Sequence, residues 1–101
     1  MPRRAAKTDD NHQAIVSYLR LKGWAVRSLA MVGNDFPDLI VAKWKFTALV
    51  EVKDGAKPPS KRALSAGQRA FLEDWPGIAI VALSPEDALI QLENARRVRY
   101  A

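Results

Sequence analysis

Two apolar runs that each carry a carboxylate constrain this chain more than any other feature: "PDLIVA" at 37–42, with Asp38, and "ALVEVK" at 48–53, with Glu51 and then Lys53. Side chains alternate across a strand, so Glu51 and Lys53 share one face, about 6–7 Å apart, while Val50 and Val52 share the other. Trp44 and Lys45 lie between the runs and leave room only for a short turn, which makes the runs an antiparallel hairpin. Asp38 opens the first strand and Glu51 lies near the end of the second. In a suitable register both acids and the lysine meet at one end of the sheet. An unpaired buried charge is costly, so these acids belong to an exposed edge, to salt bridges or to a metal site.

The flanking sequence supplies a sandwich for this hairpin. Ala14, Ile15, Tyr18, Leu19 and Leu21 recur at helical spacing and predict a helix over 9–22, capped by Asp9 or Asp10 and stopped at Gly23. "WAVRSLA" predicts a strand, "MVGNDF" a loop, and Pro37 stands at the first residue of the next strand, where a missing N–H is tolerated. Ser65 caps a helix that runs to about residue 75, with Phe71, Leu72 and Trp75 on its apolar side. "IAIVAL" reads as a buried strand. "SPED" starts a last helix, with Ser84 as cap, Pro85 at the first helical position and Asp87 completing a capping box. That helix is expected to reach about residue 94, leaving 95–101 as a tail or a final edge strand. Residues 1–8 read as a flexible basic arm. The order α-β-β-β-α-β-α predicts a single α/β domain in which helices flank a mixed sheet.

Composition narrows the chemistry. At 101 residues there is room for one core, and with no cysteine any metal must be held by oxygen or by the single imidazole, His12. The apolar runs fall far short of a membrane span and the N-terminal stretch lacks an apolar segment, so the chain is expected to be a cytoplasmic protein with no membrane partner. Sixteen Lys and Arg against eleven Asp and Glu give a net charge of +5. Position says more than the total: Lys53 leads straight into Lys57, Lys61 and Arg62 in the proline-bearing loop "KPPSKR", an accessible candidate for phosphate contacts. Arg96, Arg97 and Arg99 read as a solvated tail. Of Trp24, Trp44 and Trp75, Trp44 in the hairpin turn is the one to test as a stacking platform for bases.

Two carboxylates and a lysine at one sheet end suit hydrolysis of a phosphodiester. Carboxylates are hard oxygen ligands of the kind Mg²⁺ takes, and an ammonium group can orient a water and offset charge building on phosphorus. "PDLIVA" followed by "LVEVKDG" resembles the PD-(D/E)xK nuclease motif, and the continuation "KPPSKRALSAGQRAFLEDW" is similar to the small stand-alone VRR-NUC domains of phages and prophages. The resemblance spans about residues 9–89. It implies a restriction-endonuclease-like core, cleavage of DNA dependent on Mg²⁺ with Mn²⁺ as substitute, no organic cofactor, and a homodimer that cuts branched DNA such as Holliday junctions. By motif position, Asp38 and Glu51 would be metal ligands, the carbonyl of Val52 a further one, Lys53 the catalytic base or water-orienting group, and Gln68 an accessory residue on the following helix. Related nucleases often place a glutamate on the first helix. This chain has no Glu before Glu51; His12 falls near that slot, with Asn11 beside it and Asp9 and Asp10 a turn earlier. The competing classes are a catalytically silent nucleic-acid-binding module and an interaction domain with a surface ion pair. Against the first stands the intact acid pair, of no use to a pure phosphate binder; against the second stands the joint match through Gln68.

Overall fold

A computed structural model describes residues 11–99. Helix α1 (His12–Leu21) is followed by β1 (Ala25–Ser28), β2 (Leu39–Lys43) and β3 (Phe46–Val52), then a single 3-10 turn (Pro59–Lys61), α2 (Ala66–Asp74), β4 (Ala79–Ala82) and α3 (Pro85–Arg99). The sheet runs β1-β2-β3-β4, with the first three strands antiparallel and β4 parallel to β3. The fold is therefore α/β, a four-stranded mixed sheet flanked by helices.

Alternation along β3 sorts its side chains as the sequence predicts. Phe46, Ala48, Val50 and Val52 are buried on one face together with Leu39 and Val41 of β2. Ile15, Val16 and Leu19 of α1 and Ala88 and Leu92 of α3 complete that core. Leu49, Glu51 and Lys53 belong to the opposite face, which α2 approaches without burying any residue of its own. Truncating a fully buried member such as Leu92 to Ala costs about 2–5 kcal/mol, because the core closes only partly over the gap.

The hairpin turns at Trp44 and Lys45, which adopt φ of 50° and 69°. Two left-handed residues give the twist that matches the flanking strands, but side chains other than glycine bear a cost of about 1 kcal/mol or more there. Trp44 is 77% exposed, with the Arg96 guanidinium 5.0 Å and the Lys43 ammonium 5.8 Å from its ring centre.

Both free edges of the sheet are blunted by a side chain. Arg20 Nη2 donates to the Val26 carbonyl at 2.9 Å on the β1 side, and Gln91 Nε2 donates to the Val81 carbonyl at 2.8 Å on the β4 side. A carbonyl already satisfied offers less to an adding strand.

Several expectations change. The last helix continues to Arg99, past residue 94, because nothing in "ARRVR" breaks it and Ala95 still packs against the core. Arg96 is accordingly no solvated tail residue: its Nη2 donates to Glu93 Oε1 at 2.7 Å and its head lies over Trp44. β4 is an outer strand in which only Ala82 is buried, so its continuous apolar run marks a half-covered edge. Pro37 and Asp38 precede β2, which begins at Leu39. The loop with the prolines makes one 3-10 turn, for which Pro59 presets the backbone. The Ser84 hydroxyl accepts from the Asp87 N–H at 3.0 Å as expected, but the Asp87 carboxylate takes the N–H of Leu83, at 2.9 Å, rather than that of Ser84. Helix α1 starts at His12 behind Asn11, which makes no side-chain cap bond; Asp9, Asp10 and the basic arm at 1–8 lie outside the described residues. Among the described residues no helix is long and apolar enough to cross a membrane.

Candidate active site

The antiparallel register pairs Leu39 with Val50, and one step further it sets Asp38 opposite Glu51. Opposed residues share a face, so both acids lie on the side away from the α1/α3 core. Asp38 is fixed by the main chain of β3: its Oδ2 accepts from the Val52 N–H at 2.7 Å. The same register sets Pro37 opposite Val52, and a proline has no N–H to give. The N–H and C=O of one strand residue point to the same edge, so the Val52 carbonyl faces the Asp38 side.

Glu51 is 4% exposed. Its Oε2 lies 4.0 Å from Lys53 Nζ and accepts from Gln68 Nε2 at 3.3 Å, while Lys53 Nζ donates to Gln68 Oε1 at 3.1 Å. Acid, base and amide thus close a triangle. Gln68 can complete it because it is locked at the start of α2. Ser65 Oγ accepts from the Gln68 N–H at 3.1 Å and Gln68 Oε1 accepts from the Ser65 N–H at 3.0 Å, a reciprocal capping box. One oxygen receives two donors and the nitrogen faces a carboxylate, which fixes the orientation of the amide.

The remaining sequence-predicted residues take more distant places. Asn11 Nδ2 donates to the carbonyls of Lys53 at 3.0 Å and Leu83 at 3.1 Å, so it fastens the start of α1 to the ends of β3 and β4. Asn11 Oδ1 and His12 Nε2 are buried and make no hydrogen bond. The basic loop leaves the sheet at the site end. Arg62 turns back on it, with Nη1 donating to the Gly55 carbonyl at 3.1 Å, whereas Lys61 is exposed and Lys57 half-buried. A cavity of about 390 Å³ opens beside this loop, between Asn11, Gly55, Arg62 and Ser84. Trp24 is buried and Trp75 partly exposed, leaving Trp44 as the freely displayed indole, at the opposite end of β3 from the acids.

Comparison with family models, curated proteins and solved structures gave no match. The site's own geometry is what speaks to function. Among the described residues no three or more His, Cys, Asp or Glu side chains gather into a metal-holding group. Mg²⁺ does not require such a group, since it is commonly held by one or two carboxylates and keeps several waters. Asp38, Glu51 and the Val52 carbonyl are three hard oxygen donors at one sheet end, a set whose chemistry fits that ion.

Two features were not anticipated from sequence. Glu93 joins Trp24 Nε1 (3.2 Å), Lys43 Nζ (3.4 Å) and the Arg96 guanidinium. Burial alone would raise its carboxyl, but hydrogen bonds from Arg96 and Lys43 and the charges of both outweigh that and hold it below the usual range. The second is a ring cluster beside the site, in which Phe36 packs on Phe71 at 5.0 Å between centroids and Phe71 stacks on Trp75 at 5.3 Å. An aromatic pair spaced i, i+4 on α2 was a legible signal; the joining of Phe36 to it was not.

Proposed function

We propose that this chain is a metal-dependent endodeoxyribonuclease of the PD-(D/E)xK type, with a restriction-endonuclease-like core similar to VRR-NUC domains, that hydrolyses phosphodiester bonds in branched DNA such as four-way junctions as a homodimer. The observation that carries the reading is the triangle of Glu51, Lys53 and Gln68, set opposite an Asp38 held by the Val52 N–H.

A buried carboxylate beside a polyanion is unfavourable unless a cation stands between them. Asp38, Glu51 and the Val52 carbonyl would hold Mg²⁺, which when bound supplies Lewis acidity toward phosphate oxygen and an acidified water. The chain's own groups do the rest. Gln68 Oε1 aims the Lys53 ammonium, which orients the attacking water and offsets charge on the phosphoryl oxygens. Gln68 Nε2 holds Glu51 in place, and Lys57, Lys61 and Arg62 contact phosphates of the flanking strand.

The test is incubation with end-labelled duplex, flap, fork and four-way junction DNA. Cleavage is expected with Mg²⁺ or Mn²⁺ and strongest on the branched forms, while Ca²⁺, larger and less demanding in geometry, supports binding without efficient cutting. A mobility shift with no cleavage in any metal would reduce the chain to a binding module, and neither shift nor cleavage would reduce it to an interaction domain.

A further inference from the structure

A cavity of about 320 Å³ lies between the loop at Asn34 and Asp35 and the face of α2 that carries Gly67, Phe71 and Asp74, with Trp75 just past the helix end. Both walls of the cavity are continuous in the chain with the candidate site. Gly67 directly precedes Gln68, and Asp35 stands three positions before Asp38. The walls meet closely because residue 67 has no side chain: a Cβ there would collide with the Asp35 carboxylate.

The lining has an unusual character for a chain of net charge +5. Phe71 and Trp75 are stacked at an interplanar angle of 16°, and Phe36 packs on both, at 5.0 and 6.4 Å between centroids, so the rings are held as a platform. Asp35 and Asp74 supply carboxylates and Asn34 an amide, and among the described residues no lysine or arginine lines the space. Carboxylates repel a phosphate. They accept strongly from flat groups rich in N–H, and aromatic faces stack on such groups whatever their sequence.

We propose that this cavity receives an unstacked nucleobase from the nucleotide next to the scissile phosphate, with preference for guanine. The inference rests on the nuclease reading, because it takes the Asp38 and Glu51 end of the sheet as the place where the phosphate lies. Guanine presents N1–H and an exocyclic amino group on one edge, a pair that a single carboxylate accepts together. Thymine presents one N–H flanked by two carbonyl oxygens, which a carboxylate repels. Branch points and single strands offer bases that are already unstacked, so the cost of extrusion is lowest there. The pocket thereby gives a physical reason for preferring branched over continuous duplex DNA.

The experiment uses fluorescein-labelled forked DNAs, identical except for G or T at each unpaired position beside the branch. Binding is read by anisotropy in Ca²⁺, which supports binding without efficient cutting, and cleavage is read separately in Mg²⁺. The wild-type chain is expected to bind the best-placed G fork about tenfold tighter than its T counterpart. Asp74→Asn, at an exposed helix position, is expected to bring that ratio to within about twofold, and Ala70→Leu, which fills the cavity, to lower affinity for both forks. A ratio near one at every position, or a ratio unchanged in both variants, overturns the pocket while cleavage in Mg²⁺ still upholds the nuclease. A G preference lost in Asp74→Asn without any cleavage upholds base binding and removes the nuclease. Displacement of the bound fork by millimolar arginine with no G preference assigns the cavity to a cationic side chain and overturns the proposal.

Discussion

The Asp38 carboxylate accepts a 2.7 Å hydrogen bond from the Val52 N–H, so the end of β3 is anchored by a side chain where the partner strand has run into Pro37. That one bond gives Asp38 a structural duty beside its proposed ligand role, and substitution separates the two. Asp38→Asn keeps an oxygen for the N–H and is expected to fold with near-native stability while losing cleavage by orders of magnitude. Asp38→Ala is expected to lose cleavage and in addition about 1–2 kcal/mol of stability, since it strands the N–H of the buried Val52. Denaturant melts beside cleavage rates check both; equal stability of the two variants would remove the anchoring role.

Gln68 is shared between the α2 capping box and the site, and a glutamate there distinguishes the functions. Glutamate is the other residue a capping box accepts, so Gln68→Glu is expected to leave α2 intact. It also replaces the amide donor that faces Glu51 with a second carboxylate. Cleavage is expected to fall by tenfold or more while the helix content read by circular dichroism is unchanged. Gln68→Ala is expected to lower both cleavage and stability, with about 1 kcal/mol lost from the cap. Full activity in a folded Gln68→Glu protein would take Gln68 out of the site.

Glu93 makes stability depend on pH in a stated direction. Its folded carboxyl is held below the ordinary value of 4.5, burial pushing it up and the Arg96 and Lys43 contacts outweighing that. A depressed carboxyl stabilises fully above the ordinary value and loses its contribution as pH falls through the lower folded one. Glu93→Gln is therefore expected to be less stable than wild type by about 1 kcal/mol at pH 7, with the gap closing in acid. Urea melts from pH 7 to pH 3 check this, and a gap that persists unchanged at the acid end would contradict it.

The proposed homodimer is expected to use exposed apolar side chains rather than sheet edges, because Arg20 and Gln91 already occupy edge carbonyls. Ile90 and Val98 are 60% and 79% exposed on α3, eight positions and hence about 80° apart around the helix, and Trp44 is 77% exposed near the same helix. Phe46, by contrast, is consumed by the core. Light scattering is expected to give twice the monomer mass at micromolar concentration and the monomer mass for Ile90→Glu. A wild-type monomer, alone and with junction DNA and metal, would sink the dimer and leave a single-strand nicking enzyme.

The hairpin and its acids were legible because their signals are local: period-two alternation set Glu51 and Lys53 on one face, and two residues between the runs implied a short turn and an antiparallel pair, whose register the fold then supplied. Gln68 was legible only through the resemblance to the nuclease motif; its capping box with Ser65 and its bonds to Lys53 and Glu51 became visible once α2 was placed against the sheet. What escaped was set by tertiary packing. The apolar run of β4 carries no mark of lying at an edge, and the extension of α3 past residue 94 depends on Ala95 finding the core and Arg96 finding Glu93 and Trp44. Glu93 looked like any helix-surface acid, because Trp24 and Lys43 reach it from segments 69 and 50 positions away.

The most direct measurement is the single-turnover cleavage of a labelled four-way junction by the wild-type chain and by folded Lys53→Met, each in Mg²⁺ and in excess EDTA. Lys53 is the member of the triangle whose charge the chemistry uses, and its side chain is 14% exposed, so methionine replaces it with similar volume in the same slot. The expected result is cutting by the wild type in Mg²⁺, none in EDTA, and a loss of several orders of magnitude in Lys53→Met with junction binding retained. Near-wild-type cutting by Lys53→Met, or undiminished cutting in EDTA, would contradict the reading of Asp38, Glu51 and Lys53 as a metal-dependent hydrolytic site.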